Sequence, residues 1–196
     1  MTQLRFLGRH TGYVRQLARG TRLTCRDYVP RWQGDFLEPV DALAALAPLL
    51  PAWHDELDAV TWIPGHDGSP GPGYYVAEVV ARSLHVPLVE ALVRTTQLAS
   101  AHASADRPSF HAVRQSLVAA PTIASPLDRT LVVDNVIASG ATMRGALAVL
   151  RDTGYQHLEA FSISVDPLAG CRVYMSEVPR RGDLRYPCIK QGQIAA

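Results

Sequence analysis

The sequence predicts an α/β fold: a parallel sheet flanked by helices, with a small hood built from the terminal segments. Three observations predict it. Apolar runs that read as strands alternate with stretches of helical periodicity across 58–93 and again across 130–165, an order that favours parallel strands joined by helices. The run 130–134 (TLVVD) is apolar at consecutive positions, as in a strand covered on both faces. The 196 residues, 47% hydrophobic and 19% charged, suit one domain with a sizeable core. One domain over 1–196 is therefore expected, its core at about 37–166 and its hood at 1–35 and 167–196.

Residues 1–35 mix Arg, Gly, Thr and aromatics without a clear period and read as irregular chain or short strands at an edge. Roughly 37–47 reads as a helix, with Leu43, Leu46 and Leu50 as a rough stripe and Pro48 and Pro51 ending it. Residues 58–63 (DAVTWI) read as a strand. Residues 64–73 hold four Gly and three Pro and read as a loop. A helix follows at 74–84, where Val76, Val79, Val80 and Leu84 share a face, and then a strand at 88–93. The polar stretch 95–128, with room for a short helix at 109–118, has the length of a lid or binding loop. The strand 130–134 precedes a helix at 141–152 with Met143, Ala146, Leu147 and Leu150 on one face and Gly154 as its C-cap. A strand at 158–165 closes the series, and the segment from Pro167 has no strong period and reads as an edge strand or flap.

Composition narrows the function classes. A net charge of +1 carries no nucleic-acid signature for the chain as a whole. Locally, 1–35 carries seven Arg (Arg5, Arg9, Arg15, Arg19, Arg22, Arg26, Arg31) against Asp27 and Asp35, which is either a solvated basic face or a surface that attracts phosphate-bearing ligands. Cys25, Cys171 and Cys188 are scattered and lack the spacing of a zinc site, so they read as thiols in a reducing compartment. No apolar run approaches the ~20 residues of a membrane helix. The first residues do not read as a secretion signal, so a cytoplasmic location is expected.

The chemistry concentrates at 131–143, LVVDNVIASGATM. In an open parallel sheet, ligands bind beyond the carboxyl ends of the strands, and Asp134 and Asn135 stand at such an end. The small residues Ala138, Ser139, Gly140, Ala141 and Thr142 let backbone approach a ligand closely. The helix that starts there brings unpaired N–H groups and its positive dipole end, and Ser139 and Thr142 add hydroxyl donors. Together these form a phosphate cradle, with Asp134 and Asn135 able to accept from ribose hydroxyls and Asp134 able to contact a divalent metal. The same residues also suit an Asx turn followed by a capped helix with no ligand. No G-x-S-x-G elbow, Walker loop or G-x-G-x-x-G supports a hydrolase or another nucleotide fold.

LVVDNVIASGATM resembles the phosphoribosyl pyrophosphate (PRPP) signature of type I phosphoribosyltransferases, and the spacing back to 58–94 is similar to the ComF-like and orotate phosphoribosyltransferase-like branches. The resemblance implies that fold and a Mg2+-dependent cytoplasmic transferase of nucleotide metabolism. Such an enzyme moves 5-phosphoribosyl between PRPP and a nucleobase-like acceptor. Asp134 and Asn135 would be the catalytic pair at the ribose, with Asp134 also a metal ligand. Ala138, Ser139, Gly140, Ala141 and Thr142 would wrap the 5′-phosphate. Gly65, His66 and Asp67 would form the pyrophosphate loop, and Arg94, Arg107 and Arg114 would reach pyrophosphate from the 95–128 lid. PRPP or a nucleoside monophosphate and a small base would be the ligands, in a homodimer that binds neither membrane nor nucleic acid. Three departures qualify the pattern. Asn135 stands where the family has a second acidic residue, Ala138 replaces the Asp of the 6-oxopurine branch, and the 64–73 loop has no Lys or Arg. Ala138 disfavours a hypoxanthine or guanine acceptor, while Asn135 and the lysine-free loops give weight to the alternative, a non-catalytic PRPP- or nucleotide-binding regulator or a ComF-like protein of DNA uptake.

Overall fold

The computed structural model describes residues 2–9, 23–24, 36–37, 57–99, 108–121, 129–165, 173–175 and 190–194. Among them are ten strands: β1 (Thr2–Arg9), β2 (Leu23–Thr24), β3 (Phe36–Leu37), β4 (Ala59–Trp62), β5 (Leu92–Arg94), β6 (Leu117–Ala119), β7 (Arg129–Ile137), β8 (His157–Val165), β9 (Val173–Met175) and β10 (Lys190–Ile194). Three helices accompany them: α1 (Gly71–Leu84), α2 (Phe110–Ser116) and α3 (Ala141–Asp152). The main sheet runs β4-β7-β8-β1-β10-β9. Its first four strands are mutually parallel, and β10 joins β1 and β9 antiparallel. The expected parallel sheet flanked by helices is thus present.

The alternation of β7 explains its two covers. Val132 belongs to the cluster built with Met143, Ala146, Leu147 and Leu150 of α3, and it is fully buried. Leu131 and Val133, on the opposite pleat, are equally buried and lie where α1 packs on β4 and β7. On α1 the stripe Val76, Val79, Val80 and Leu84 is buried as its spacing predicts. Each such side chain contributes about 1.5–3 kcal/mol of burial relative to exposure. Helix α3 occupies the residues its periodicity predicts. It ends with Gly154 at φ 102°, where the amides of Gly154 and Tyr155 bond the carbonyls of Arg151 and Leu150, the pairing of a Schellman stop.

Several expectations are corrected. Thr2–Arg9, read as irregular or edge chain, is an eight-residue strand inside the sheet, held by partners more than 150 residues away. Val173–Met175 and Lys190–Ile194, in the segment read as an edge strand or flap and counted with the hood, extend the main sheet, with β9 at its edge. The apolar run 88–93 is not one strand: Leu88 bridges Val60 of β4, and Leu92–Arg94 turns away to pair with Leu117–Ala119. The loop after β4 stops at Pro70 rather than Gly73, because Pro72 suits the first turn of α1. Most of the helix expected at 37–47, much of the hood, Cys25, Cys171, Cys188, His102 and Arg107 lie outside the described residues.

Candidate functional site

Strand β4 stops pairing at Trp62, opposite Val133, while β7 continues to Ile137 along β8. The chain leaves β4 through α1 toward the Leu88 bridge on one side, and leaves β7 through α3 toward β8 on the other. The crevice between β4 and β7 is therefore a switch point of the sheet, where α/β proteins bind ligands. Asp134 sits in it, three residues before β7 ends rather than at its last residue, beyond the point where β4 stops pairing.

A cavity of about 300 Å3 occupies this crevice. Gly65 and His66 line it from the loop, Pro70 to Gly73 from the start of α1, Asp134, Asn135 and Val136 from β7, Thr142 from α3, and Arg94 from β5. Leu98, Ala99, Pro108 and Val113 supply an apolar wall. Two helix N-termini thus converge on one cavity. Neither capping residue, Pro70 before α1 or Gly140 before α3, offers a side chain to the first turn, though Ser139 Oγ accepts from the Ala141 amide. Uncapped first-turn amides and two dipole ends favour an anion between them. Gly140 makes the second approach possible by adopting φ 79°, a conformation natural only to glycine.

Asp134 is held differently from an ordinary surface carboxylate. Burial pushes its pKa up to about 6, although the amides of Asn135 and Val136 and the nearby Arg94 charge pull the other way. The Asn135 amide donates to Asp134 Oδ1 at 2.8 Å. The carbonyl of Asn135 accepts from Ser162 Oγ of β8 at 3.3 Å, which fixes this stretch of backbone against the neighbouring strand.

The loop after β4 is built on its own turn chemistry. The Gly65 amide donates to Ser69 O (2.7 Å) and the Gly68 amide to Gly65 O (3.0 Å). Asp67 Oδ1 accepts from the Ser69 amide and hydroxyl at 3.0 and 2.7 Å, and these bonds hold its carboxyl below the usual carboxylate range. Gly68 adopts φ 87°, and a Cβ at Gly65 would meet Asp67 Oδ1 and Ser69 Oγ at 3.0 Å.

The residues singled out in the sequence divide accordingly. Asp134, Asn135, Gly65, His66, Thr142 and Arg94 are brought together around the cavity. Ala138, Ser139, Gly140 and Ala141 form the turn from β7 into α3 between lining residues Val136 and Thr142, with Ser139 Oγ accepting from the Ala141 amide at 3.3 Å. Asp67 turns back onto Ser69 instead of facing the cavity. Arg114 lies outside the lining and pairs with Asp152 at the far end of α3, 2.6 Å away. Sequence reasoning missed Gly73, Leu98 and Val113 as lining residues, and it missed Gly145. A Cβ at Gly145 would lie 2.7 Å from Val113 Cγ1, so glycine lets α2 pack directly on α3. The Pro70-Gly71-Pro72 run in the loop was the available signal for the early start of α1. Among the described residues, no group of three or more His, Cys, Asp or Glu could hold a metal, and no helix is long and apolar enough to cross a membrane.

No protein-family profile matches the chain, and no curated protein matches it. Solved structures do. The allosteric regulatory enzyme of purine biosynthesis aligns over 76% of this chain and 30% of its own, at 19% identity and a TM-score of 0.49. Adenine phosphoribosyltransferase of Leishmania tarentolae aligns over 85% of this chain and 96% of its own, at 12% identity and a TM-score of 0.43. That of Trypanosoma brucei, solved with AMP, pyrophosphate and ribose-5-phosphate, aligns over 87% and 86%, at 10% identity and a TM-score of 0.44. The chain spans less than a third of the first of these and of the glutamine PRPP amidotransferase of B. subtilis, of which it covers 28%.

Proposed function

We propose that the crevice binds a 5-phosphoribosyl group and that the protein transfers it between PRPP and a nucleobase-like acceptor. The observation that carries this reading is the convergence of two uncapped helix N-termini on one cavity that also contains a buried carboxylate. Two phosphate-bearing ends and a sugar between them need that arrangement. The amides at the start of α3, with Thr142, receive the 5′-phosphate. The amides at the start of α1, with Gly65 and His66, receive the pyrophosphate. Asp134 accepts from the ribose hydroxyls, and its carboxylate opposes positive charge that develops at the sugar carbon when the pyrophosphate departs. The apolar wall of Leu98, Pro108 and Val113 keeps water from that carbon.

Mg2+ fits this site only together with a phosphorylated ligand. Among the described residues the cavity lining offers one carboxylate, Asp134, whose raised pKa marks a negative charge without full compensation. Magnesium is ordinarily held by one or two carboxylates plus substrate phosphates. When bound, the ion would neutralise charge on the leaving pyrophosphate. Within the phosphoribosyltransferases, the spacing of 58–94 to the signature favours the ComF-like and orotate-like branches.

A second reading, a PRPP or nucleotide sensor without turnover, is favoured by one observation: Asn135 lines the cavity where a second carboxylate would add catalytic charge. Pyrophosphate release separates the two. With PRPP, Mg2+ and a panel of free bases, the transferase releases pyrophosphate with at least one base. Binding of PRPP without release from any base supports the sensor.

A further inference from the structure

Arg94 is the one cavity-lining arginine among the described residues, and its bonds do not point into the cavity. From β5 its Nε donates to Gly65 O at 2.7 Å and its Nη2 to Pro64 O at 3.1 Å, while Nη1 donates to Ser116 Oγ at the end of α2. Ser116 is itself fixed: its hydroxyl donates to Val113 O at 2.8 Å, and its carbonyl accepts from the Thr95 amide at 2.9 Å. A second tie runs from the same segment to the loop, the Leu98 amide to His66 O at 2.9 Å. The guanidinium is thus a three-way strut between the loop, β5 and α2. Three residues of the loop point their carbonyl oxygens toward the segment 94–98.

The orientation of those oxygens matters for an anion. A carbonyl dipole aimed at a pyrophosphate repels it, and the loop, with two glycines and no cation of its own, holds Gly65 O from within by the neutral Gly68 amide. Arg94 turns the oxygens of Pro64 and Gly65 onto a cation. Partial burial lowers its pKa from the ordinary arginine value, against the charges of Asp134 and Asp67, which favour its ionised form. Only a planar fork can reach Gly65 O, Pro64 O and Ser116 Oγ together; an ammonium is a compact point charge on a flexible stem.

We infer that Arg94 is a positioning residue: it shapes the Pro64–Ser69 loop for an anionic ligand by holding the loop's carbonyls, rather than by contacting the anion. This rests on the reading of the crevice as a phosphate site. The contrast with direct contact is sharp, because a lysine at 94 would preserve a direct phosphate contact but not the strut.

Two full-length variants test it, Arg94→Lys and Ser116→Ala, with two probes. The first probe is amide hydrogen exchange in the ligand-free protein at Gly65 and Gly68, whose N–H groups close the loop. The second is calorimetric titration with inorganic pyrophosphate. Arg94→Lys speeds exchange at both glycines and weakens pyrophosphate binding, each by about tenfold. The amides of Leu147 and Leu150 in α3 exchange as in the wild type, which a general loss of stability would not allow. Ser116→Ala, whose hydroxyl lies outside the cavity lining, moves both readouts the same way by less. Wild-type exchange at Gly65 and Gly68 in Arg94→Lys overturns the inference, as does faster exchange with unchanged pyrophosphate affinity. If the wild type fails to bind pyrophosphate, the proposed function falls instead, while the exchange rates still decide the role of Arg94.

Discussion

Replacing Asp134 by Asn removes the charge on which ligand binding is proposed to depend, and it should make the folded protein more stable. The carboxyl, ordinarily at 3.8, is pushed up to about 6 by burial. At about 1.4 kcal/mol per pH unit, that displacement corresponds to about 3 kcal/mol. The sign follows from linkage. The folded state binds this proton more tightly than the unfolded state, so ionisation disfavours folding. The cost is absent below the unfolded pKa of 3.8, grows between 3.8 and about 6, and is fully present above about 6. Asparagine carries no such cost, but its neutral oxygen accepts more weakly from the Asn135 and Val136 amides than the carboxylate does, a loss of roughly 1 kcal/mol. The net gain for Asp134→Asn at pH 7.5 is then about 2 kcal/mol, or about 4–8 °C in melting temperature for a chain of this size. The assay is urea unfolding followed by tryptophan fluorescence at pH 7.5 and pH 4.5. The variant should be the more stable at pH 7.5, with its advantage shrinking toward pH 4.5. A variant that is less stable at pH 7.5, or an advantage independent of pH, would refute the claim that Asp134 is held charged against its environment.

Three further outcomes follow from the geometry. Gly145→Ala gains about 1 kcal/mol of helix propensity but drives a methyl to 2.7 Å from Val113 Cγ1 and 3.1 Å from the Arg114 amide nitrogen. With overpacking at about 1–3 kcal/mol, the net is a loss, read as a lower urea midpoint; a raised midpoint would show that α2 does not pack on α3 as described. Gly140→Ala forces a side chain onto φ 79°, which costs about 1–2 kcal/mol, and should weaken nucleoside monophosphate binding several-fold in calorimetry; unchanged affinity would remove this turn from the phosphate site. Asn135→Asp sets a second carboxylate beside Asp134, pushes the Asp134 pKa above its present value of about 6, and should raise the rate of pyrophosphate release; an equal or lower rate would mean that residue 135 does not limit turnover.

How much of this was legible in the sequence depends on how local the deciding interaction is. Helix α3 was readable to the residue, because its apolar stripe and both its stops, Gly140 and Gly154, lie within fifteen residues of one another. The body of β7 and the residue types at its end were readable for the same reason, and with them the outline of the proposed phosphate site. Strand β1 was not, because its partners are His157–Val165 and Lys190–Ile194 and its own residues show no strong alternation. The run 88–93 was apolar enough to be a strand, but periodicity does not say which strand it joins; Leu88 stays with β4 while Leu92 leaves for β6. The arginines show the same limit. Arg94 and Arg114 look alike as basic residues near a long loop, yet one bonds carbonyls 29 and 30 residues upstream and the other an aspartate 38 residues downstream. Only the folded chain separates them.

The central claim is that the crevice between β4 and β7 binds a phosphorylated ribose through Asp134 and the two helix N-termini. Calorimetric titration of PRPP with Mg2+ into the wild type and Asp134→Ala tests it most directly. The account predicts saturable one-to-one binding to the wild type and an affinity lower by about tenfold or more in the variant, the scale of hydrogen bonds lost to a charged acceptor. Absence of PRPP binding to the wild type, or equal affinity in the two proteins, would contradict it.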